Sequence, residues 1–83
     1  MKKKKLLQKI QQSGGKNIRF SDFVTLIGYF GFEYLYTNGS HERYKHKNVP
    51  EVMNIQNVKG TAKPYQVKRF FAILEEYDLK LEE

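Results

Sequence analysis

The feature that most limits what this chain can fold into is a change of hydrophobic period at Gly31. Before it, Phe23, Leu26, Ile27 and Phe30 fall at i, i+3, i+4 and i+7, the spacing of one buried stripe on a helix. After it, Phe32, Tyr34 and Tyr36 alternate with Glu33, Leu35 and Thr37, the spacing of a strand. Asn38-Gly39 follows, the strongest short-range hairpin signal, so His41 to His46 are expected to return as a second strand. Lys47, Asn48 and Pro50 make a loop, and Val52 to Gln56 supply a third strand with Met53 and Ile55 on one face. Connections this short make the sheet antiparallel.

Helices flank these strands. Residues 3 to 12 are good helix formers with Leu6, Leu7 and Ile10 on one side, ended by "SGGK" at 13 to 16. Ser21 is expected to cap the second helix, with Asp22 favoured by its dipole. Gly28 inside that helix costs about 1 kcal/mol relative to alanine, which points to close backbone packing. Pro64 suits the first position of a last helix in which Val67, Phe70, Phe71, Leu74 and Tyr77 recur at helical spacing. The expected fold is α+β: a three-stranded antiparallel sheet with helices packed on one face, plus an N-terminal helix. It forms a single domain over residues 1–83, with a basic helix and linker at 1–17 and the core at 18–80.

A domain of 83 residues buries only about 60% of the surface its unfolded chain exposes, so any chemistry is expected on an open face and on a large substrate. The chain has no cysteine, which excludes a disulfide framework or a cysteine-rich zinc site and suits a reducing compartment. The mostly apolar stretch from Phe23 to Phe32 is about half of what a membrane span requires, and Leu6-Leu7 is followed by Gln8 and Lys9 rather than an apolar signal core. The expectation is a soluble, cytoplasmic protein without a membrane partner. Net charge is +6, unevenly spread: residues 75 to 83 hold five acids and one lysine, so the first 74 residues carry +10. A body this basic favours a polyanion, and nucleic acid is the leading class.

Two stretches carry candidate chemistry. In "YTNGSHERYKH", a three-residue loop Asn38-Gly39-Ser40 with Gly39 left-handed would pair Thr37 with His41, Leu35 with Arg43 and Tyr34 with Tyr44. That register sends Phe32, Tyr34, Tyr36 and Tyr44 toward the helices. It leaves His41, Arg43 and Lys45 on the open face beside Thr37, with Ser40 in the adjoining loop as a further nucleic-acid contact. A lone histidine at a strand start is more often a surface group than a catalyst, and His46 keeps that reading. His41 and His46 lie on opposite faces, so no metal and no cofactor is assigned. In "NVKGTAKPYQVKRF", Lys59 and Lys63 precede a helix N-terminus, and Lys68 and Arg69 follow one turn on. Free N–H groups and the helix dipole favour an anion there, so these residues are expected to form a phosphate cradle. "SGGK" lacks a preceding strand and is a linker rather than a P-loop.

Three segments, "FSDFVTLIGYFGFE", "NGSHERYKH" and "MNIQNVKGTAKPYQVKRFFAILEEYDL", together resemble HicA-type toxins of bacterial and archaeal toxin–antitoxin pairs in order and spacing. The resemblance implies a fold similar to the double-stranded RNA-binding domain and a helix start that contacts phosphates. It also implies an mRNA interferase, an endoribonuclease that cleaves mRNA and spares DNA, with a HicB-type antitoxin as protein partner. The family's catalytic histidine follows the hairpin glycine, which is His41 in "GSH". Many members carry a second histidine next to it, where this chain has Glu42. His41 would act as general acid or base on the ribose 2′-OH and phosphate, with Arg43, Lys45 or Lys63 stabilising the growing charge. The alternative is a non-catalytic RNA-binding module of the same fold.

Overall fold

In the computed structural model, which describes residues 2 to 82, the chain runs α1 (Lys2–Ser13), α2 (Phe20–Tyr29), β1 (Glu33–Asn38), β2 (His41–Lys45), β3 (Met53–Val58), β4 (Thr61–Ala62) and α3 (Pro64–Glu76). The four strands form one antiparallel sheet in the order β1-β2-β3-β4. The fold is thus α+β as expected, with one strand more than the three anticipated. No described helix is long and apolar enough to cross a membrane.

The helical stripes meet the sheet in a single core. Ile10 of α1, Phe23, Leu26 and Ile27 of α2, and Val67, Phe70, Ile73 and Leu74 of α3 are buried together with Tyr44, Met53 and Ile55 from the sheet. Phe70 is its centre, with the rings of Phe23, Phe30 and Phe32 edge-on to it at 5.6, 5.7 and 5.7 Å. His46 is buried as well. Its ring lies 5.0 Å from that of Phe32, and its Nδ1 accepts the Asn48 N–H at 3.0 Å. It is a structural histidine that shapes the β2–β3 loop.

The fourth strand comes from a turn at Lys59-Gly60, where both residues have positive φ (53° and 86°), the pattern of a type I′ hairpin. Asn57 Oδ1 accepts the Gly60 N–H at 2.7 Å and steadies this turn. Beyond the two residues of β4, the chain leaves for α3. There the Gln66 side chain takes over the role of a strand, its Oε1 accepting the Gln56 N–H at 2.8 Å.

Two expectations about α2 need correction. The helix begins at Phe20, with Arg19 at the N-cap and no side-chain cap bond, so Ser21 is not the cap. The backbone is fixed instead from across the fold: Phe20 N–H donates to Gly60 O, Ala62 N–H donates to Ile18 O, and Arg19 bridges to Thr61. Gly28 does not mark close packing either. A Cβ built there meets nothing within 4 Å, because the residue faces solvent. Gly28→Ala should therefore raise unfolding free energy by roughly 0.5 to 1 kcal/mol by restricting the unfolded chain. Thermal melts check this, with an increase of several degrees expected for a domain of this size.

Candidate functional site

The hairpin that carries His41 is closed by two residues, Gly39 (φ 64°) and Ser40, so that Asn38 pairs with His41 and Thr37 with Glu42. Glycine first in a two-residue loop is the pattern of a type II′ turn. This corrects the three-residue loop. The expected pair Tyr34–Tyr44 still forms, with Glu33 opposite Lys45 beside it, because a β-bulge between Tyr34 and Tyr36 absorbs the extra residue, Leu35.

The bulge redistributes the side chains of β1. Tyr34 stays on the helix side, its ring 5.7 Å from that of Tyr44, and its hydroxyl shares a 2.6 Å hydrogen bond with Thr37 Oγ1. Thr37 is therefore not on the open face. Tyr36 is moved the other way: it pairs with Arg43, whose guanidinium stands 5.7 Å from the centre of its ring, and it is 51% exposed. The expectation that Tyr36 faces the helices fails because a strict two-residue alternation does not survive a bulge.

On β2 the alternation is regular. Tyr44 and His46 are buried under the helices, and His41, Arg43 and Lys45 project from the opposite face. His41 pairs with Gln56 and Arg43 with Asn54 on β3. Asn54 Oδ1 accepts from Arg43 Nη1 at 2.6 Å and lies 3.2 Å from His41 Nδ1. Arginine can only donate, so the atom it touches is the amide oxygen, and the imidazole nitrogen beside the same oxygen must also carry a proton. A neutral His41 therefore holds its hydrogen on Nδ1 and leaves the Nε2 lone pair free, the arrangement of an oriented general base. Asn54 is the residue of this candidate site that sequence reasoning missed. Its place beside His41 depends on the β2–β3 register, which no local motif encodes.

The other expected contacts divide into two groups. Ser40 belongs with the His41 face: its Oγ accepts from Gln56 Nε2 at 3.0 Å, and its carbonyl accepts the Asn57 N–H at 3.0 Å. Lys63 sits at the N-cap of α3, which has no side-chain cap bond, with its ammonium 5.7 Å from the centre of the Tyr65 ring. Lys63 directly follows Ala62, whose partner on β3 is Asn57, the neighbour of Gln56, which pairs with His41. Lys59 occupies the left-handed first position of the β3–β4 turn.

Lys45 lies four residues along β2 from His41, about 13 Å, too far to share one phosphate with it. Lys68 and Arg69 diverge around α3. Lys68 lines the groove with Leu7 and Gln11 of α1, while Arg69 Nη2 is paired with Glu51 Oε1 at 2.5 Å. Lys59 in the turn and Lys63 at the helix start thus remain as candidate phosphate contacts, and the two later cations point elsewhere.

Glu42, at the position next to His41, is turned to the other side of the sheet. It faces Ile55 and Thr37 across the strands and accepts a 2.7 Å hydrogen bond from the Tyr44 hydroxyl. A residue there has no route to a phosphate held on the His41 face. Comparison with family models, curated proteins and solved structures finds no match to this chain.

Burial, followed by the hydrogen bond to Glu42 and that carboxylate's charge, holds the Tyr44 phenol well above its ordinary pKa near 10. The folded state therefore keeps a proton that the unfolded state releases above pH 10, so the stability this group contributes is intact below that pH and is lost as pH rises further. Tyr44→Phe should flatten the fall of unfolding free energy between pH 10 and 11.5 by up to about 1.4 kcal/mol per pH unit, read from urea titrations. Equal slopes for the two proteins would contradict the assignment.

Proposed function

We propose that the protein is an endoribonuclease of the HicA type, an mRNA interferase, with His41 as its general base. The observation that carries this reading is the oriented imidazole: Nδ1 bonded to Asn54 Oδ1 at 3.2 Å, Nε2 free, and Arg43 anchored on the same oxygen at 2.6 Å. The order α2-β1-β2-β3-α3, with the helices on one face, supports a core similar to the double-stranded RNA-binding domain. The β4 hairpin and α1 are additions to that plan. The same reading places the protein in a toxin–antitoxin pair in the cytoplasm, with a HicB-type antitoxin as the partner that occupies the toxin.

The chemistry follows from the groups present. His41 Nε2 takes the proton of a ribose 2′-OH, the 2′-oxygen attacks the adjacent phosphorus, and the bond to the 5′-oxygen breaks to leave a 2′,3′-cyclic phosphate. The proton gained by His41 returns to the departing 5′-oxygen. Arg43, beside the imidazole, meets the charge that grows on the non-bridging oxygens, and Lys63 reaches the neighbouring phosphate. Positioned acid–base catalysis of this kind contributes about 10² to 10⁴-fold. With Glu42 directed away, one histidine does both proton transfers, and turnover should be modest. DNA lacks the attacking hydroxyl and should remain intact.

His41→Ala should bind labelled RNA as the wild type does and cut it at least about 100-fold more slowly, while a single 2′-deoxy substitution at the cleaved position should block the wild type. If wild type and His41→Ala leave RNA equally intact, the face is a non-catalytic RNA-binding surface. For the phosphate contacts, Lys63→Ala should lower the slope of log affinity against log salt by about one, and Arg69→Ala, whose charge is already paired, by less. An unchanged slope would remove Lys63 from the interface.

A further inference from the structure

The bulge at Leu35 presents a feature that the proposed cleavage chemistry does not require. It carries Tyr36 from the helix side to the open face, where the ring is half exposed beneath the Arg43 guanidinium at 5.7 Å. Half of a large ring left in water gives up burial that the helix side could have supplied, and a bulge interrupts the ladder. A second aromatic with the same equipment stands at the other margin of the face. Tyr65, at the start of α3, is 64% exposed, and the Lys63 ammonium is 5.7 Å from the centre of its ring. It lines a 390 Å³ cleft between β3 and α3 together with Asn54, the residue that holds His41 and Arg43. The order across the sheet is therefore a cation-backed ring on β1, the Arg43–His41 pair on β2, Asn54 on β3, and a cation-backed ring beside the cleft.

We propose that this row is a track for single-stranded RNA, in which Tyr36 stacks on one base and Tyr65 on a following one, so that the backbone between them lies over His41. The proposal deepens the ribonuclease reading and rests on it for the place of the cut, while the binding it describes stands by itself. Stacking tolerates any base because every base has a π-face, and a neighbouring guanidinium or ammonium adds attraction to the ring and to the phosphate next to it. A duplex cannot use such a platform, since its bases are stacked on one another and its grooves show only edges. The occupant is thus unpaired RNA. A protein strand would have no use for two cations placed over the rings it is to cover.

The test uses a ten-nucleotide RNA with 2′-O-methyl riboses, which a 2′-OH mechanism cannot cut, and a central 2-aminopurine whose fluorescence falls on stacking. Wild type should bind it and quench the probe. Tyr36→Ala should weaken binding roughly 5- to 150-fold and abolish quenching, Tyr36→Phe should preserve both, and Tyr65→Ala should weaken binding in the same sense. Affinity for a blunt RNA hairpin should be the same for wild type and Tyr36→Ala. The proposal is overturned if Tyr36→Ala binds the single strand like the wild type. It is equally overturned if the hairpin loses as much affinity, or if the substitution changes only self-association in sedimentation. Should unmodified RNA resist cleavage while Tyr36→Ala still loses the single strand, the ribonuclease reading falls and the track remains.

Discussion

The aromatic contact at Phe70 is what the remainder of the molecule depends on. One ring on α3 receives Phe23 and Phe30 from α2 and Phe32 from the start of β1, all edge-on within 5.7 Å. Such pairs add about 0.5 to 1.5 kcal/mol each beyond the area they bury, in a domain whose total stability is only on the order of 4 to 12 kcal/mol. Because the ring fixes α3 against the sheet, Gln66 reaches the free edge of β3 and Tyr65 is held beside Asn54. The core and the outer face are thus set by the same helix: its buried side holds the fold, and its first turn finishes the site.

The two faces of the sheet divide the labour by the parity of β2. Even positions 42, 44 and 46 serve the interior, and odd positions 41, 43 and 45 serve the exterior. That parity separates two histidines five residues apart into a buried prop for a loop and a candidate base. It also turns Glu42 away from the outer face. Its carboxylate is engaged by the Tyr44 hydroxyl on the other side, where it adds to the effect of burial in raising the pKa of that phenol.

Much of this was legible in the sequence where a single physical signal dominated. The stripe from Val67 to Leu74 and the Pro64 start gave α3, and Met53 and Ile55 gave the inward face of β3, because burial and helical period agree there. The face of His41 was also readable, since charged and aromatic residues sort cleanly on β2. What escaped was set by long-range pairing. Ser21 looked like a cap, but residues 18 to 20 are held by backbone bonds to Gly60 and Ala62, which no local pattern announces. The β4 hairpin was hidden because its turn is Lys59-Gly60 rather than asparagine-glycine, with a lysine carrying positive φ. Tyr36 was misplaced because a bulge leaves no trace in composition, and Asn54 was missed because its value lies in what stands opposite it.

β1 is an edge strand whose six residues are all exposed, the kind of surface on which a neighbouring chain can lay down a further strand. The bulge at Leu35 sits in the middle of it and breaks the regular repeat of donors and acceptors that such pairing needs. The irregularity that turns Tyr36 outward therefore also guards the edge against cross-chain pairing. Removing Leu35 would leave Tyr34 opposite Tyr44 and Tyr36 opposite Arg43 in an unbroken ladder, so Tyr36 would keep its outward face while the edge became an uninterrupted template for aggregation.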